Sequence, residues 1–376
     1  MGVGITILTM LLVGSLRYGG HRPVKPVGSV LPPELSITAV GDLVMHLPVV
    51  NSAYNRQNGE FDFRPIFSEI RPWLSRADIA VGVLEAPLSG PERQYSGYPR
   101  FNSPYAIADA VKWAGLDLVF TAHNHAMDQG RDGLLKTLAY YDKIGLRHTG
   151  CRSRADQPNY LLYDCQGMRL AFLSYTTTTN GIPLPVGAKW LVNTYDEQSL
   201  GQTVRSAREA GADAVILAFH SGVEYQRKPP PEQQRLLKQL LKLGVDIILG
   251  SHVHVIEPVE WQAIRSGNRT RQCFIAYSLG NFLSNQQWRY SDCGLTVNLR
   301  LRKDPAVAHG VTIVAETHYP VWVRRDRTDD GRSRYRIERL TEPEPVVPAT
   351  VGFERKRREV WEDTFELLKD WQPSNQ

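Results

Sequence analysis

The sequence predicts an α/β fold, on two observations. Short apolar runs rich in β-branched residues alternate with longer amphipathic stretches along most of the chain, and this alternation is typical of βα units with buried strands. The 376 residues, of which 42% are hydrophobic, are enough to form a large core. With only four cysteines, the chain cannot be a small module held together by many disulfides.

The predicted strands and helices follow one another in order. The predicted strands cover residues 37–40, 79–84, 116–121, 170–174, 214–219, 246–249 and 274–278. The predicted helices cover residues 106–114, 133–144, 197–210 and 232–243. Residues 229–231, all proline, lead into the last of these helices, and Gly244 is suited to the left-handed conformation that ends a helix.

The C-terminal part, residues 301–376, is predicted to be a small extension of strands and one helix. Residues 310–316, 319–324 and 335–340 have the composition of strands. Residues 353–371 form an amphipathic pattern whose apolar stripe includes Val360, Trp361, Phe365 and Leu368. We expect this stripe to dock on the body of the protein, with membrane-surface binding as the alternative.

The pattern of the N-terminal residues predicts that the protein is exported or membrane-anchored and lies on the extracytoplasmic face. Residues 1–18 are interpreted as a signal-like segment or short anchor, because the apolar run 3–16 is shorter than the roughly 20 residues of a spanning helix. Positive residues follow this run and none precedes it, which is the reverse of the usual charge distribution. A myristoylation pattern over residues 1–6 and a misplaced start codon remain alternatives. Residues 19–35, rich in Pro and Gly, are predicted to be an extended linker.

The charge of the chain indicates which classes of molecule it is expected to bind. The net charge of +5 is mild, and the 44 Lys and Arg are interleaved with 39 acidic residues. Nucleic-acid-binding proteins usually gather their positive charge in a patch or stripe. We therefore expect no nucleic-acid partner, whereas an acidic substrate is compatible with this charge.

Potential metal ligands follow six of the seven predicted strands. Loops at the carboxyl ends of parallel strands converge at one edge of a sheet. Carboxylate, amide and imidazole groups together suit Mn, Fe or Zn better than Ca, which prefers oxygen ligands alone. The sequence therefore predicts a transition-metal site built from residues at the strand ends: Asp42, Glu85, His123, Asn124, His125, His220, His252, His254 and Asn281.

Each of these residues also has an ordinary structural explanation when taken alone. Asp42 follows a glycine and could belong to a turn, Glu85 could be a solvated or paired acid, and His220 could be a hydrogen-bonded core histidine. His252 and His254 give a stronger signal, because alternate residues of an extended segment point to the same side. Their joint occurrence at successive strand ends favours the metal site.

Six motifs in one order resemble the bacterial CapA family of capsule and poly-gamma-glutamate synthesis proteins, within the calcineurin-like metallophosphoesterase superfamily. They are Gly41-Asp42, Leu84-Glu85-Ala86-Pro87-Leu88, Ala122-His123-Asn124-His125 with Asp128 and Gly130, His220-Ser221-Gly222-Val223-Glu224-Tyr225, Gly250-Ser251-His252-Val253-His254 and Tyr277-Ser278-Leu279-Gly280-Asn281-Phe282. The resemblance covers residues 36–300 and implies a four-layer α-β-β-α sandwich. It also implies two divalent transition-metal ions and a phosphoester or anionic polymer as substrate.

The resemblance assigns roles residue by residue. It implies that Glu85 bridges two metals and that His125 faces the leaving group, as the catalytic acid. Glu224 could orient a histidine, and Asn281 could contact the substrate or a ligand. The metal ligands that the resemblance implies are Asp42, Glu85, Asn124, His220, His252 and His254.

Three positions depart from the family pattern. Val83 stands where Asn usually precedes the Leu-Glu pair, His123 replaces an Asn, and His46 lies where the family often has Arg. His46 and His123 could add ligands or change the metal preference. The loss of a polar group at Val83 puts the surroundings of Glu85 in doubt.

Two functions remain open at this stage. Two metal ions about 4 Å apart can activate water and stabilise a phosphoryl or carbonyl oxygen. This favours a metal-dependent hydrolase, most simply of phosphoesters, or else of the amide bonds of a poly-gamma-glutamyl chain. The alternative is a non-catalytic factor for polymer assembly or export, with membrane-bound capsule synthesis partners. The loop 176–189 could cover the site as a lid or be an ordinary connection. Cysteines 151 and 165, and 273 and 293, could pair if exported, or all four could be reduced.

Overall fold

The computed structural model describes residues 33–341 and 352–370. The predicted N-terminal segment 1–18, residues 19–32 of the predicted linker and residue 371 of the predicted last helix lie outside these residues. Among the residues described, no helix is both long enough and apolar enough to cross a membrane.

The described residues form two large sheets, one two-stranded hairpin and eight α-helices. The strands are β1 (Glu34–Val44), β2 (Tyr54–Asn55), β3 (Glu60–Phe61), β4 (Ile79–Glu85), β5 (Leu118–Phe120), β6 (Arg147–Thr149), β7 (Leu161–Cys165), β8 (Met168–Thr176), β9 (Ala214–His220), β10 (Ile247–Ser251), β11 (Val259–Ser266), β12 (Arg269–Ala276), β13 (Asn281–Leu283), β14 (Cys293–Lys303), β15 (Val311–Arg327) and β16 (Ser333–Arg339). The helices are α1 (Leu47–Ser52), α2 (Arg64–Phe67), α3 (Arg71–Leu74), α4 (Ala106–Ala114), α5 (Gly130–Ile144), α6 (Glu197–Glu209), α7 (Pro231–Lys242) and α8 (Phe353–Asp370).

Each large sheet has a parallel part that leads toward the candidate site. The first sheet has the order β16-β15-β14-β1-β4-β5-β6, with β13 beside β1. Its strands β1, β4, β5 and β6 are parallel, whereas β14 to β16 add antiparallel strands at one side. The second sheet has the order β11-β12-β10-β9-β8-β7, with β8, β9, β10 and β12 parallel.

Three separate hydrophobic cores show how the layers are arranged. Residues of both sheets, such as Ile37 and Ile216, are buried in a common core between them. On strand β9 the neighbours of Ile216, Val215 and Leu217, instead pack with residues of α6 and α7, because successive side chains of a strand point to opposite faces. A third core joins the outer face of the first sheet to α1 to α5. The predicted α/β fold with four layers, α-β-β-α, is therefore confirmed.

The predicted elements agree with the structure in the core and differ toward the C-terminus. All seven predicted strands and all four predicted helices of the body are present, and Gly244 follows α7 with a left-handed φ of +114°. Residues 310–316 and 319–324, predicted as two strands, form the single strand β15, because pairing with β14 continues through Thr317 and His318. Strand β14 runs through residue 300, so β15 and β16 extend the first sheet.

Candidate metal centre

Asp42 lies on β1 at the point where the two sheets meet. Gly41 allows this approach, since a Cβ atom there would lie 2.1 Å from the carbonyl oxygen of Gly280. The backbone N–H of Asp42 donates to the same carbonyl at 2.9 Å. The Asp42 side chain is fully buried; Oδ2 accepts a hydrogen bond from the backbone N–H of His252 at 3.0 Å. Its Oδ1 has no hydrogen-bond partner among the described residues.

Glu85 is the last residue of β4 and is fully buried. Neither of its carboxylate oxygens has a hydrogen-bond partner among the residues that the structure describes. Oε1 lies 3.8 Å from Nε2 of His220 and 4.0 Å from Nε2 of His125. A buried carboxylate that accepts no hydrogen bond is unstable in its ionised form. A bound cation would stabilise Glu85 in that form.

The candidate ligands form two groups that share Glu85. In the first group, ligand atoms of Asp42, Glu85 and His254 all lie within 4.8 Å of one another. In the second group, Oδ1 of Asn124 lies 3.0 Å from Nε2 of His220, the nitrogen that also faces Glu85. The position of Glu85 between the groups agrees with the bridging role that the resemblance implies.

His252 completes the second group. Its ring centroid lies 4.8 Å from that of His220, and its Nδ1 has no hydrogen-bond partner within residues 33–341 and 352–370. The backbone of His252 has a φ of +97° and that of His254 a φ of +61°. Such values are uncommon for residues other than glycine and persist where the surrounding structure fixes them.

The electrostatics of the site favour a bound cation. Burial raises the pKa of Asp42 to about 7 and, together with the nearby carboxylates, raises the pKa of Glu85 well above its usual value. Burial also lowers the pKa of His252 to about 4 and of His254 to about 3, so both imidazoles are neutral near pH 7 and can bind a metal. A divalent cation would reverse the cost of ionising the two carboxyl groups. With mixed oxygen and nitrogen donors, the residues present fit a divalent transition metal.

His125 lies beside the second group and has a fixed orientation. Its Nδ1 lies 2.8 Å from Oδ2 of Asp128, and its ring packs edge to face against Phe101 with the centroids 4.6 Å apart. The Asp128 carboxylate also accepts the backbone N–H of Phe101. Because Nδ1 is directed to Asp128, Nε2 faces Glu85 and lies 3.4 Å from Nδ2 of Asn180.

A cleft of about 400 Å³ opens onto this part of the site. The loop 176–189 forms part of its wall through Asn180 and Ile182. Arg100 and Glu224 bring opposite charges to the cleft. Its lining residues are Tyr98, Pro99, Arg100, Asn124, His125, Asp128, Asn180, Ile182 and Glu224.

The four residues expected to support the site occupy different positions. Asn281 contacts a ligand, since its Oδ1 lies 3.1 Å from Nδ1 of His254. His123 is buried, with its ring 6.1 Å from that of His220. His46 accepts the backbone N–H of Asn285 through Nδ1, which turns that nitrogen away from a metal. Glu224 is exposed at the cleft, and it is Asp128 that hydrogen-bonds to His125.

Asp128 and Ser251 are functional positions that the sequence reasoning did not assign. The three-residue spacing between His125 and Asp128 was a signal for the first, because it places both side chains on one turn. Ser251 lies next to His252 in sequence, but its Oγ contacts Nδ1 of His220 at 2.8 Å. No pattern within the sequence pairs residues 31 positions apart on neighbouring strands.

The four cysteines are free, with three of them buried. Cys273 lies in the core of the second sheet with α6 and α7, and Cys293 lies in the core between the sheets. Neither of the two pairings considered from the sequence is present.

Comparisons with known proteins identify one matching family and several similar proteins. The profile of the family described as bacterial capsule synthesis protein PGA_cap matches residues 36–286. The capsule biosynthesis protein CapA of Bacillus anthracis is 26% identical over 310 residues, which cover 80% of this chain and 72% of that protein. The PGA biosynthesis protein CapA of Bacillus subtilis (strain 168) is 26% identical over 347 residues, or 88% of this chain and 87% of that protein.

Among solved structures, the NAD nucleotidase NadN of Haemophilus influenzae is similar with a TM-score of 0.47 and 16% identity. The match covers 90% of this chain and 57% of that protein. The capsule-related relatives are consistent with an extracytoplasmic location. Since the family profile spans every candidate ligand from Asp42 to Asn281, the chain belongs to the bacterial capsule synthesis protein family, PGA_cap.

Proposed function

We propose that this capsule biosynthesis protein is a metal-dependent hydrolase of phosphoesters with two divalent transition-metal ions. The observation that carries the proposal is the pair of fully buried carboxylates, Asp42 and Glu85, which lie 3.7 and 3.8 Å from imidazole nitrogens. Oδ1 of Asp42 and both carboxylate oxygens of Glu85 have no hydrogen-bond partner among the described residues. Burying carboxylate oxygens that accept no hydrogen bond is costly, so a stable fold alone does not explain these two groups. We further propose that the protein acts in the synthesis of an anionic polymer such as poly-gamma-glutamate. Its partners would be membrane-bound capsule synthesis proteins on the extracytoplasmic face.

When bound, the ions would supply Lewis-acid chemistry and activate water at neutral pH. The residues that would hold them are Asp42, Glu85 and His254 in one group, and Glu85, Asn124, His220 and His252 in the other. Asn281 and Ser251 orient His254 and His220 through their ring nitrogens. Such partners hold an imidazole in one orientation and tautomer.

His125 is placed to protonate the leaving group. A general acid must be within hydrogen-bond reach of the leaving atom in a bound substrate. His125 lines the cleft, and the Asp128 carboxylate holds Nδ1, so Nε2 is directed toward the metal groups. Asn180 lies beside the same nitrogen and can donate to an oxygen of the substrate.

One observation favours the alternative of a non-catalytic assembly factor. Asp42 and Glu85 are completely buried, and the cleft reaches the site through Asn124 and His125. A site closed in this way would also suit a metal that only stabilises the fold. The two functions can be distinguished by whether the metal-loaded protein hydrolyses phosphoesters.

The test measures hydrolysis of a p-nitrophenyl phosphodiester by the full chain loaded with Mn²⁺ and, separately, with Zn²⁺. We expect turnover by the wild type, and its loss in His125→Ala with the metal content retained. The matched control is His148→Ala, since His148 lies on β6 and contacts Asp142 away from the site. Metal-loaded protein without turnover on phosphomonoesters or phosphodiesters would favour the assembly factor. Full activity of His125→Ala would remove the acid role of His125.

A further inference from the structure

Exposed aromatic side chains gather at the mouth of the cleft. Tyr98, Tyr225 and Trp288, here called the aromatic rim, have 76%, 43% and 52% of their surface exposed. Tyr98 lines the cleft directly, and Tyr225 follows the lining residue Glu224. The Tyr225 ring lies 6.0 Å from the ring of His254 and 5.4 Å from that of Trp288. Large exposed aromatic groups beside a functional site often mark a binding surface.

Tyr225 is fixed in place and linked to the metal centre. Its φ of +64° is unusual for a tyrosine, and its backbone N–H donates to the carbonyl of Val253 at 2.8 Å. Nε2 of Gln286 donates to the Tyr225 hydroxyl at 3.1 Å, and Oε1 of Gln286 accepts from Nδ2 of Asn281 at 2.9 Å. Since Asn281 also contacts His254, one chain of hydrogen bonds joins the rim to a candidate ligand.

Trp288 is held by its own loop and by the C-terminal helix. The carbonyl of Trp288 accepts two hydrogen bonds from Ser291, through its backbone N–H at 3.2 Å and its hydroxyl at 3.0 Å. The adjacent Arg289 makes two hydrogen bonds to the Asp363 carboxylate of α8, at 2.9 and 2.6 Å. The exposed indole is therefore presented by a fixed backbone, which reduces the entropy cost of binding a ligand.

The geometry of the rim indicates what it would bind. The rings of Tyr225 and Trp288 are inclined at 68°, so they form no parallel slot of the kind that would hold a flat aromatic base between them. Both side chains nevertheless remain exposed, so ring surface is available to a ligand outside the pair. The neighbouring cleft residues Arg100, Asn180 and Glu224 offer hydrogen-bond donors and acceptors. A ligand with one apolar C–H face and a border of hydroxyl groups matches both features, and a pyranose sugar has this structure.

We propose that the aromatic rim binds the sugar ring of a sugar phosphate ester, with the phosphoryl group directed into the metal centre. The inference rests on the proposed function, because it names the class of alcohol that the hydrolysed ester carries. An aromatic face gains contact with the C–H groups of the sugar, while the cleft satisfies its hydroxyls. A short aliphatic alcohol would leave the rim without contact.

The test compares glucose 6-phosphate with glycerol 3-phosphate, two monoesters of primary alcohols with the same phosphate charge, on the metal-loaded full chain. We expect a lower KM for the sugar ester in the wild type. Trp288→Ala should raise that KM about tenfold, as expected for loss of a well-placed aromatic contact, and reduce the preference between the two esters. Trp288→Phe should keep most of the preference. Trp261→Ala is the control, since Trp261 is 40% exposed but packs against Phe274 on the second sheet.

Binding measured by calorimetry separates this inference from the proposed function. If neither ester is hydrolysed, the hydrolase proposal fails for this class of ester, but the rim still predicts tighter binding of glucose 6-phosphate than of glycerol 3-phosphate. Loss of that difference in Trp288→Ala would support the rim. Equal affinity of the two esters for the wild type, or an unchanged preference in Trp288→Ala, would overturn it.

Discussion

The two sheets contribute different chemistry to the same site. The first sheet and the loop after β5 supply oxygen ligands, whereas the second sheet and the loop after β10 supply imidazoles. The oxygen ligands are Asp42, Glu85 and Asn124, and the imidazoles are those of His220, His252 and His254. Asp42 on β1 and Glu85 on β4 are fully buried, and each has at least one carboxylate oxygen without a hydrogen-bond partner among the described residues. Two of the three imidazoles have a side-chain partner on a neighbouring segment.

This difference shows which groups destabilise the protein most when no metal is bound. The imidazoles are neutral near pH 7 and largely satisfied, so they cost little without a metal. Three of the four oxygens of Asp42 and Glu85 have no hydrogen-bond partner among the described residues, and burial makes both carboxyl groups difficult to ionise. The carboxylates of the first sheet should therefore have the largest effect on metal content and on the stabilisation that a metal provides, and the loss of a single imidazole should have a smaller effect.

Replacement of the shared carboxylate should have the largest effect. In Glu85→Gln the metal content should fall from about two ions to at most one, because both ligand groups include Glu85. The stabilisation by excess metal, about 2.7 kcal/mol at a free concentration of 100 times Kd, should largely disappear. Metal analysis and thermal unfolding measure both. The metal-free variant should be no less stable than the metal-free wild type, and two bound ions in the variant would contradict the bridging position.

Removal of one imidazole should have a smaller effect. His252→Ala should lose at least one ion, because His252 belongs to the second group, while Asp42, Glu85 and His254 remain to hold the other. The gain in unfolding temperature with metal should be reduced but still present. His309→Ala, on a histidine outside the site that lies near Asp246, serves as the control. If neither the wild type nor the variant holds metal, the metal centre itself is wrong.

The stabilisation by metal should depend on pH through the first sheet. Burial raises the pKa of Asp42 from 3.8 to about 7. Without metal, ionising Asp42 is unfavourable in the folded state, so this group reduces stability as the pH rises from about 4 to about 7. A bound cation removes that cost. The shift in unfolding temperature on adding metal should therefore increase from pH 6.5 to pH 8.

The second sheet should contribute nothing to this pH dependence. The lowered pKa values of His252 and His254, about 4 and about 3, make both imidazoles neutral in the folded protein throughout this range, so metal binding displaces no proton from them. Asp42→Asn should flatten the increase with pH. A metal-induced shift that is constant between pH 6.5 and 8 would show that the buried carboxyl groups are already ionised without metal.

Loosening His125 should have the smallest effect on metal binding and a moderate effect on activity. Asp128→Asn keeps the size of the side chain but removes the charge beside Nδ1 of His125. Loss of such an orienting partner typically costs about 10- to 100-fold, so kcat should fall in this range while the metal content stays unchanged. A loss of activity that appears only as a higher KM would indicate a role in substrate binding instead.

The sequence predicted the ligands better than their surroundings. Asp42 and Glu85 were recognisable because each follows or ends a buried apolar run. The contact of Ser251 with His220 and the position of Glu224 at the cleft were not predictable, because they depend on how loops pack across two sheets. The single strand β15 was predicted as two, since its polar residues Thr317 and His318 resemble a connection until β14 pairs with them.

The aromatic rim illustrates the same limit. Tyr98, Tyr225 and Trp288 are far apart in the sequence, and each could have been an ordinary core residue. Their exposure and proximity follow from the left-handed backbone of Tyr225 and from the contact of Arg289 with α8. Neither feature has a sequence signal that is independent of the fold.

The sequence by itself determined the α/β alternation and the identity of the candidate metal ligands, because hydrophobic periodicity and residue chemistry are local properties. Only the tertiary structure decided that Glu85 lies between two ligand groups, that Asp128 orients His125, and that the carboxylates and imidazoles come from opposite sheets. Those relations depend on contacts between segments distant in sequence, and the packing of the two sheets on a common core fixes them.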